Sequence, residues 1–196
     1  MTLTELMIAT ILVGIVMAGV VSVDFGIRNM RGSASKMNDA MSNVSVAMLR
    51  ITQDAQQTTG DRTDVGVSWS TLNQTRAICF RQEATSPTLN DYSDDTWTCY
   101  THQTTSLPPT LYRCANLASA ITDCPSDPGA DEVILNNMVL DTAPNDSFFT
   151  IVNAPDGQIN YIHFKFKYRP STGAAHYINN PEATQESNAY LPKMSR

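Results

Sequence analysis

The chain has 196 residues, 42% of them apolar, and carries 19 acidic against 13 basic side chains for a net charge of −6. That length holds one ordinary domain with an appendage, and the acidic balance, with no clustered basic face, excludes a nucleic-acid footprint. The charge is uneven: residues 1–57 hold Glu5, Asp24, Asp39 and Asp54 against Arg28, Arg31, Lys36 and Arg50, so the whole deficit belongs to the remainder.

The first element is MTLTELMIATILVGIVMAGVVSVDFG, with no charge between Glu5 and Asp24. Leu6 to Val23 is eighteen residues, about 27 Å as a helix and the short end of a bilayer span. A cleaved signal peptide fits poorly, because there is no basic n-region and VVSVDFG lacks a small-x-small cleavage site. Arg28, Arg31 and Lys36 follow the span, while nothing basic but the amino terminus precedes it. With a disulfide-bearing domain outside, this order runs against the positive-inside rule unless a basic leader once preceded Met1.

Glu5 stands at the tip of this segment. A carboxylate facing hydrocarbon costs at least ~2.5 kcal/mol, so it either rests among headgroups near the helix N-terminus or meets a cation. The sharper expectation is the α-amine of a neighbouring copy's Met1, at nearly the same depth. Such a pair would set the axial register between copies.

The stretch MTLTELMIATILVGIVMAGVV resembles the mature N-terminus of type IV pilins and type II secretion pseudopilins, with Met1, Thr2, Leu3 and Glu5 matching the family pattern in place. The resemblance implies that a prepilin peptidase removes a short basic leader and methylates the new amino terminus. Ser22 stands where many members carry a helix-kinking proline. Gly14 and Gly19 remain, each costing roughly 1 kcal/mol of helix propensity against alanine; they permit local melting during assembly or ease helix contact in a membrane.

Helix formers run on to about Gln57, and no proline occurs before Pro87. Met30, Ala34, Met37, Met41, Val44, Met48, Ile51 and Ala55 alternate by four and three, a heptad-like stripe on which a globular domain is expected to pack. The methionines read as deformable core filler. A stop is expected at QQTTGDR, where Gly60 and a polar cluster follow.

Strand-like runs come next: VGVSW, TRAICF, TWTCYTH, TLYRC, DEVILNNMVL, SFFTIV and QINYIHFKFKY. The last sets Ile162, Phe164, Phe166 and Tyr168 on one face and His163, Lys165 and Lys167 on the other. NAPDGQ between the last two runs predicts a hairpin with Gly157 at positive φ. Cys79, Cys99, Cys114 and Cys124 fit no zinc spacing and read as two disulfides, with four buried free thiols as the alternative. Of three pairings, Cys79–Cys99 with Cys114–Cys124 is the expected one, since closing the short loop within CANLASAITDC is worth roughly 2.5–3 kcal/mol. The order WTCYTH, LPPTLYRC, ADEVILNNMV loosely resembles the W-type minor pilins and J-type pseudopilins.

Little in the chain suggests chemistry. His102, His163 and His176 sit in no hydrolase or zinc-protease motif, and no phosphate-cradling glycine loop occurs. Asp91, Asp94 and Asp95 in one loop, and Asp123, Asp127 and Asp131 in another, offer hard oxygens of the kind calcium takes. Neither follows EF-hand spacing, so solvated acidic loops without a cofactor are expected and calcium is the alternative.

These readings give an α+β, type IV pilin-like chain, with a long N-terminal α-helix packed on an antiparallel β-sheet domain. Residues 1–27 form a hydrophobic helix, transmembrane before assembly and filament core after it; 28–57 continue it amphipathically. Residues 58–169 form the β-rich domain and 170–196 a polar arm. The expected function is that of a structural subunit of a type IV pilus-like filament, most like a minor pilin and not an enzyme. A major pilin, a J-type pseudopilin and a tip-located adhesive pilin are the alternatives. The resemblance implies other copies of itself or other pilins, the prepilin peptidase and an inner-membrane assembly platform as partners. It also implies a single pass in a bacterial inner membrane before assembly, then an extracellular pilus or periplasmic pseudopilus. Met1 and Glu5 are the expected assembly residues, with no catalytic residue and no metal.

Overall fold

The computed structural model describes residues 2–60, 66–70, 75–83, 92–103, 110–120, 131–139, 147–169 and 182–192. Helix α1 runs unbroken over Leu3–Gln56, about 80 Å at 1.5 Å per residue. No proline interrupts it, and Gln57 closes its last turn with an amide donating to the Gln53 carbonyl at 3.1 Å. Among the described residues, only its C-terminal part is covered by the rest of the chain. Met37 and Ala40 are half-buried, and Val44, Ala47, Met48, Ile51, Asp54 and Ala55 are buried.

That face differs from the expected stripe. Met30, Ala34 and Met41 are exposed, while Ala40, Ala47 and Asp54 take part in the packing. The reason is geometric: the domain first meets the helix near Met37, so Met30 and Ala34 lie beyond its edge. Met41 falls on the flank, since the contact follows 3.6 residues per turn rather than a strict heptad.

Five strands form sheet A in the order β1 (Val67–Ser70), β2 (Thr75–Gln82), β3 (Thr96–Gln103), β4 (Thr110–Leu117) and β5 (Asp131–Asn136), all antiparallel. Sheet B is centred on β8 (Ile159–Tyr168), flanked by β6 (Met138–Val139), β7 (Phe149–Asn153) and β9 (Ala183–Ala189). The run DEVILNNMVL, expected as one strand, divides at Asn137. Its φ of 63°, tolerated by asparagine, turns the chain out of sheet A and into sheet B. The β7–β8 hairpin carries Gly157 at φ +83° as expected, and Ile162, Phe164, Phe166 and Tyr168 are all buried. Strand β9 comes from the segment expected as a polar arm. Between its end residues Ala183 and Ala189 it holds only polar side chains, so the period-2 hydrophobic signal that marks a strand is missing.

The core is continuous across both sheets and the helix: Val44, Met48 and Ile51 meet Ile78, Phe80, Tyr100 and Leu111 of sheet A, and Phe164 and Phe166 of sheet B. The opposite face of sheet A carries cysteines. Cys79 lies directly across from Cys99 and Cys99 across from Cys114; Cys79–Cys99 is a disulfide, and Cys114 is disulfide-bonded as well. Its expected partner Cys124 lies outside the described residues.

Candidate functional site

From Leu3 to Met30, sixteen large apolar side chains of α1 are exposed, each by 45–78%. They face every direction, and among the described residues nothing covers them. The helix is long and apolar enough to cross a membrane once. Thr10 and Ser22 donate their hydroxyls to the carbonyls of Met7 and Ala18 at 2.9 and 2.8 Å, so their polar atoms are satisfied within the helix. An added Cβ at Gly14 or Gly19 would meet no atom within 4 Å; both glycines face open space and leave room for another helix to approach. Gly19 forms part of a shallow notch of about 460 Å3 with Val16, Val20, Val23, Asp24 and Ile27.

Glu5, the expected assembly residue, has a partner in its own chain: its carboxylate accepts the Thr2 amide at 2.7 Å. This is one arm of a capping box, and the helix N-terminus favours the negative charge. Met1, its expected intermolecular partner, lies outside the described residues. At the far end of the apolar stretch, Arg28 pairs with Asp24 at 2.9 Å, both well exposed.

The packed end of the helix is anchored by a buried polar cluster that sequence reading missed. Asp54 accepts the Tyr100 hydroxyl at 2.6 Å and Arg113 Nε at 2.9 Å on one oxygen, and Gln82 Nε2 at 3.3 Å on the other. Gln82 in turn accepts the Thr98 hydroxyl at 3.2 Å. Burial, followed by the charge and hydrogen bond of Asp54, pushes the Tyr100 phenol above its ordinary value. Burial works against the Arg113 charge, but its bond to Asp54 outweighs that and raises its pKa. Asp54 thus ties α1 to β2, β3 and β4. The signal was present as an aspartate within an apolar helical face, but its partners lie 28 to 59 residues away.

The first acidic loop is only partly solvated. Asp94 is exposed, whereas Asp95 is buried beside Arg81 at 3.6 Å and accepts the Thr59 hydroxyl at 3.1 Å. Arg81 also stacks 3.8 Å over the Tyr92 ring, so this carboxylate balances a buried guanidinium rather than awaiting a cation. No group of three metal-ligating side chains occurs among the described residues; Asp91, Asp123 and Asp127 lie outside them. His163 sits on the outer face of sheet B, within hydrogen-bond reach of Asn188 at 2.8 Å, and His176 is outside the described residues. His102 is fully buried, with neither ring nitrogen bonded among the described residues and the Phe148 ring 6.5 Å away. Burial, then Arg76 across the ladder, lowers its pKa to about 4. Compared with protein-family models, curated proteins and solved structures, the chain matches none.

Proposed function

We propose that this chain is a structural subunit of a type IV pilus-like filament, most like a minor pilin, held in a membrane by α1 before assembly. The observation that carries this reading is the uncovered apolar surface of α1 on every side from Leu3 to Met30. At about 25 cal/mol per Å2 of apolar surface, such a helix is stable in lipid or among other helices and nowhere else. Covering by neighbouring copies accounts for Glu5 and the open glycines together. The local bond from Glu5 to the Thr2 amide exchanges, in this reading, for the α-amine that processing exposes at Met1 of a neighbour. The domain contributes an outer surface and no catalysis, and no cofactor is required.

The local capping bond favours a second reading, a single-pass anchored domain that never polymerises. Quantitative mass spectrometry of sheared surface filaments, with wild-type and Glu5→Ala chains, separates the two. A minor pilin appears as a methylated Met1 peptide at a few copies per filament, and Glu5→Ala stays in the membrane fraction. An abundant peptide makes it the main subunit instead. Wild-type levels of Glu5→Ala in filaments would sink the register role of Glu5, and absence of the wild-type chain from them leaves the anchored domain.

A further inference from the structure

The bare half of α1 is not the same on all sides. The notch of about 460 Å3 is lined by Val16, Gly19, Val20, Val23, Asp24 and Ile27. Val16, Val20, Val23 and Ile27 follow one another by four, three and four, so the notch runs along one helix face for about 16 Å. Gly19 leaves a gap between Val16 and Val23, since an added Cβ there would meet no atom within 4 Å.

The C-terminal end of the notch meets cations. Arg31 stands one turn beyond Ile27 on the same face, with Arg28 beside it at i,i+3, and both are exposed. Asp24, the one carboxylate among the residues lining the notch, pairs with Arg28 Nε at 2.9 Å, so Arg31 carries the surplus charge. With Val23 at the edge of the hydrocarbon, Arg28 lies about 7 Å and Arg31 about 12 Å beyond it. The headgroup layer is roughly 5–7 Å deep on each side of a bilayer. Helical Cα–Cβ bonds tilt towards the N-terminus, which here is the apolar side. Both long side chains are therefore directed back over the headgroup layer, as cations at a membrane edge are when they snorkel.

We propose that this face of α1 binds an anionic phospholipid, with an acyl chain in the notch across Gly19 and the phosphate between Arg28 and Arg31. This rests on the reading that α1 is held in a membrane before assembly. The charge selects the lipid: Asp24 against Arg28 and Arg31 leaves one net positive charge at headgroup depth. A zwitterionic headgroup brings its own cation against that charge, whereas an anionic one leaves its phosphate to the guanidinium donors. The acidic part of the chain stands clear of the same surface. All of the net −6 lies beyond residue 57, and among the described residues packing on α1 begins at Met37. Met37 is about 20 Å past Val23 along the helix, more than two screening lengths at physiological salt.

The test embeds the full chain in nanodiscs of equal phosphatidylcholine and phosphatidylglycerol. Native mass spectrometry then counts the lipids that each released chain retains. Wild type should retain phosphatidylglycerol in preference to phosphatidylcholine. Arg31→Gln should lower that preference about fivefold, the factor that one basic residue near an anionic surface carries. Gly19→Leu, which fills the notch, should lose the retained lipid of either kind, and Lys165→Gln on sheet B should change neither. Retention without headgroup preference, or a preference that Arg31→Gln leaves intact, would overturn the proposal and leave the membrane reading standing. Release as paired chains without lipid would give the notch to a second copy's helix, with the same consequence. A chain that never enters the nanodiscs removes both.

Discussion

The two halves of α1 belong to one uninterrupted helix, yet they meet opposite surroundings. Each carries the aspartate of an Asp–Arg pair at 2.9 Å, and the pairs show the difference. Asp24 and Arg28 keep 57% and 76% of their side-chain surface in solvent, whereas Asp54 and Arg113 keep 10% and 16%. The first is an i,i+4 pair within the helix, worth a few tenths of a kcal/mol. The second is a tertiary bond whose loss strands a guanidinium and a phenol in the core. The same contact length therefore carries different energy, because solvent screens one pair and is excluded from the other.

Removing residues 1–27 tests this contrast most severely. The chain beginning at Arg28 should move entirely from the membrane pellet to the soluble fraction and keep its folded circular-dichroism spectrum. A soluble but unfolded product would mean that the bare half stabilises the domain, and the contrast would collapse. Next in size, Asp54→Ala should destabilise the domain by about 4 kcal/mol in urea unfolding. A loss under about 1 kcal/mol would show that the cluster is not the anchor.

Acid probes the same core. His102 titrates at 6.5 in its ordinary environment and at about 4 in the fold. Between these values the unfolded chain binds the proton first, so stability is full above pH 6.5 and falls as the pH drops towards 4. The loss should approach about 3 kcal/mol, and His102→Leu should flatten that part of the profile. Reducing the Cys79–Cys99 bond, which spans 20 residues, should cost a similar amount, about 3 kcal/mol, read as a lower urea midpoint under reductant. The smallest effect sharpens the contrast from the other side: Asp24→Ala should change domain stability by less than about 0.5 kcal/mol.

Much of the fold was legible because it is written in local periodicity. The helix and its end at Gln57, the strand-forming runs, the Gly157 hairpin and the buried face Ile162–Phe164–Phe166–Tyr168 all follow from patterns within ten or twenty residues. The readings that changed depend on distance. Asn137 splits an apolar run between two sheets, a choice set by which strand each half can pair with. Strand β9 has no hydrophobic alternation and is held by the β8 ladder, reinforced by ion pairs such as Lys165–Glu186 at 3.3 Å. Met41 and Ala40 differ by one position on a helix wheel, and only the placement of the sheets decides which is covered.

The candidate site divides the same way. The apolar helix and its lone Glu5 were visible in the sequence, because eighteen uncharged, mostly apolar residues have the same meaning in any fold. The sequence by itself thus determined that this chain carries an N-terminal helix long and apolar enough to cross a membrane once. Tertiary structure alone decided where that helix becomes covered, that Asp54 binds Tyr100 and Arg113, that His102 is sealed in the core, and that a groove opens beside β5. Each of these joins residues far apart in the chain. Burial and hydrogen bonding between such residues are properties of the packed whole, to which local propensity contributes only the parts.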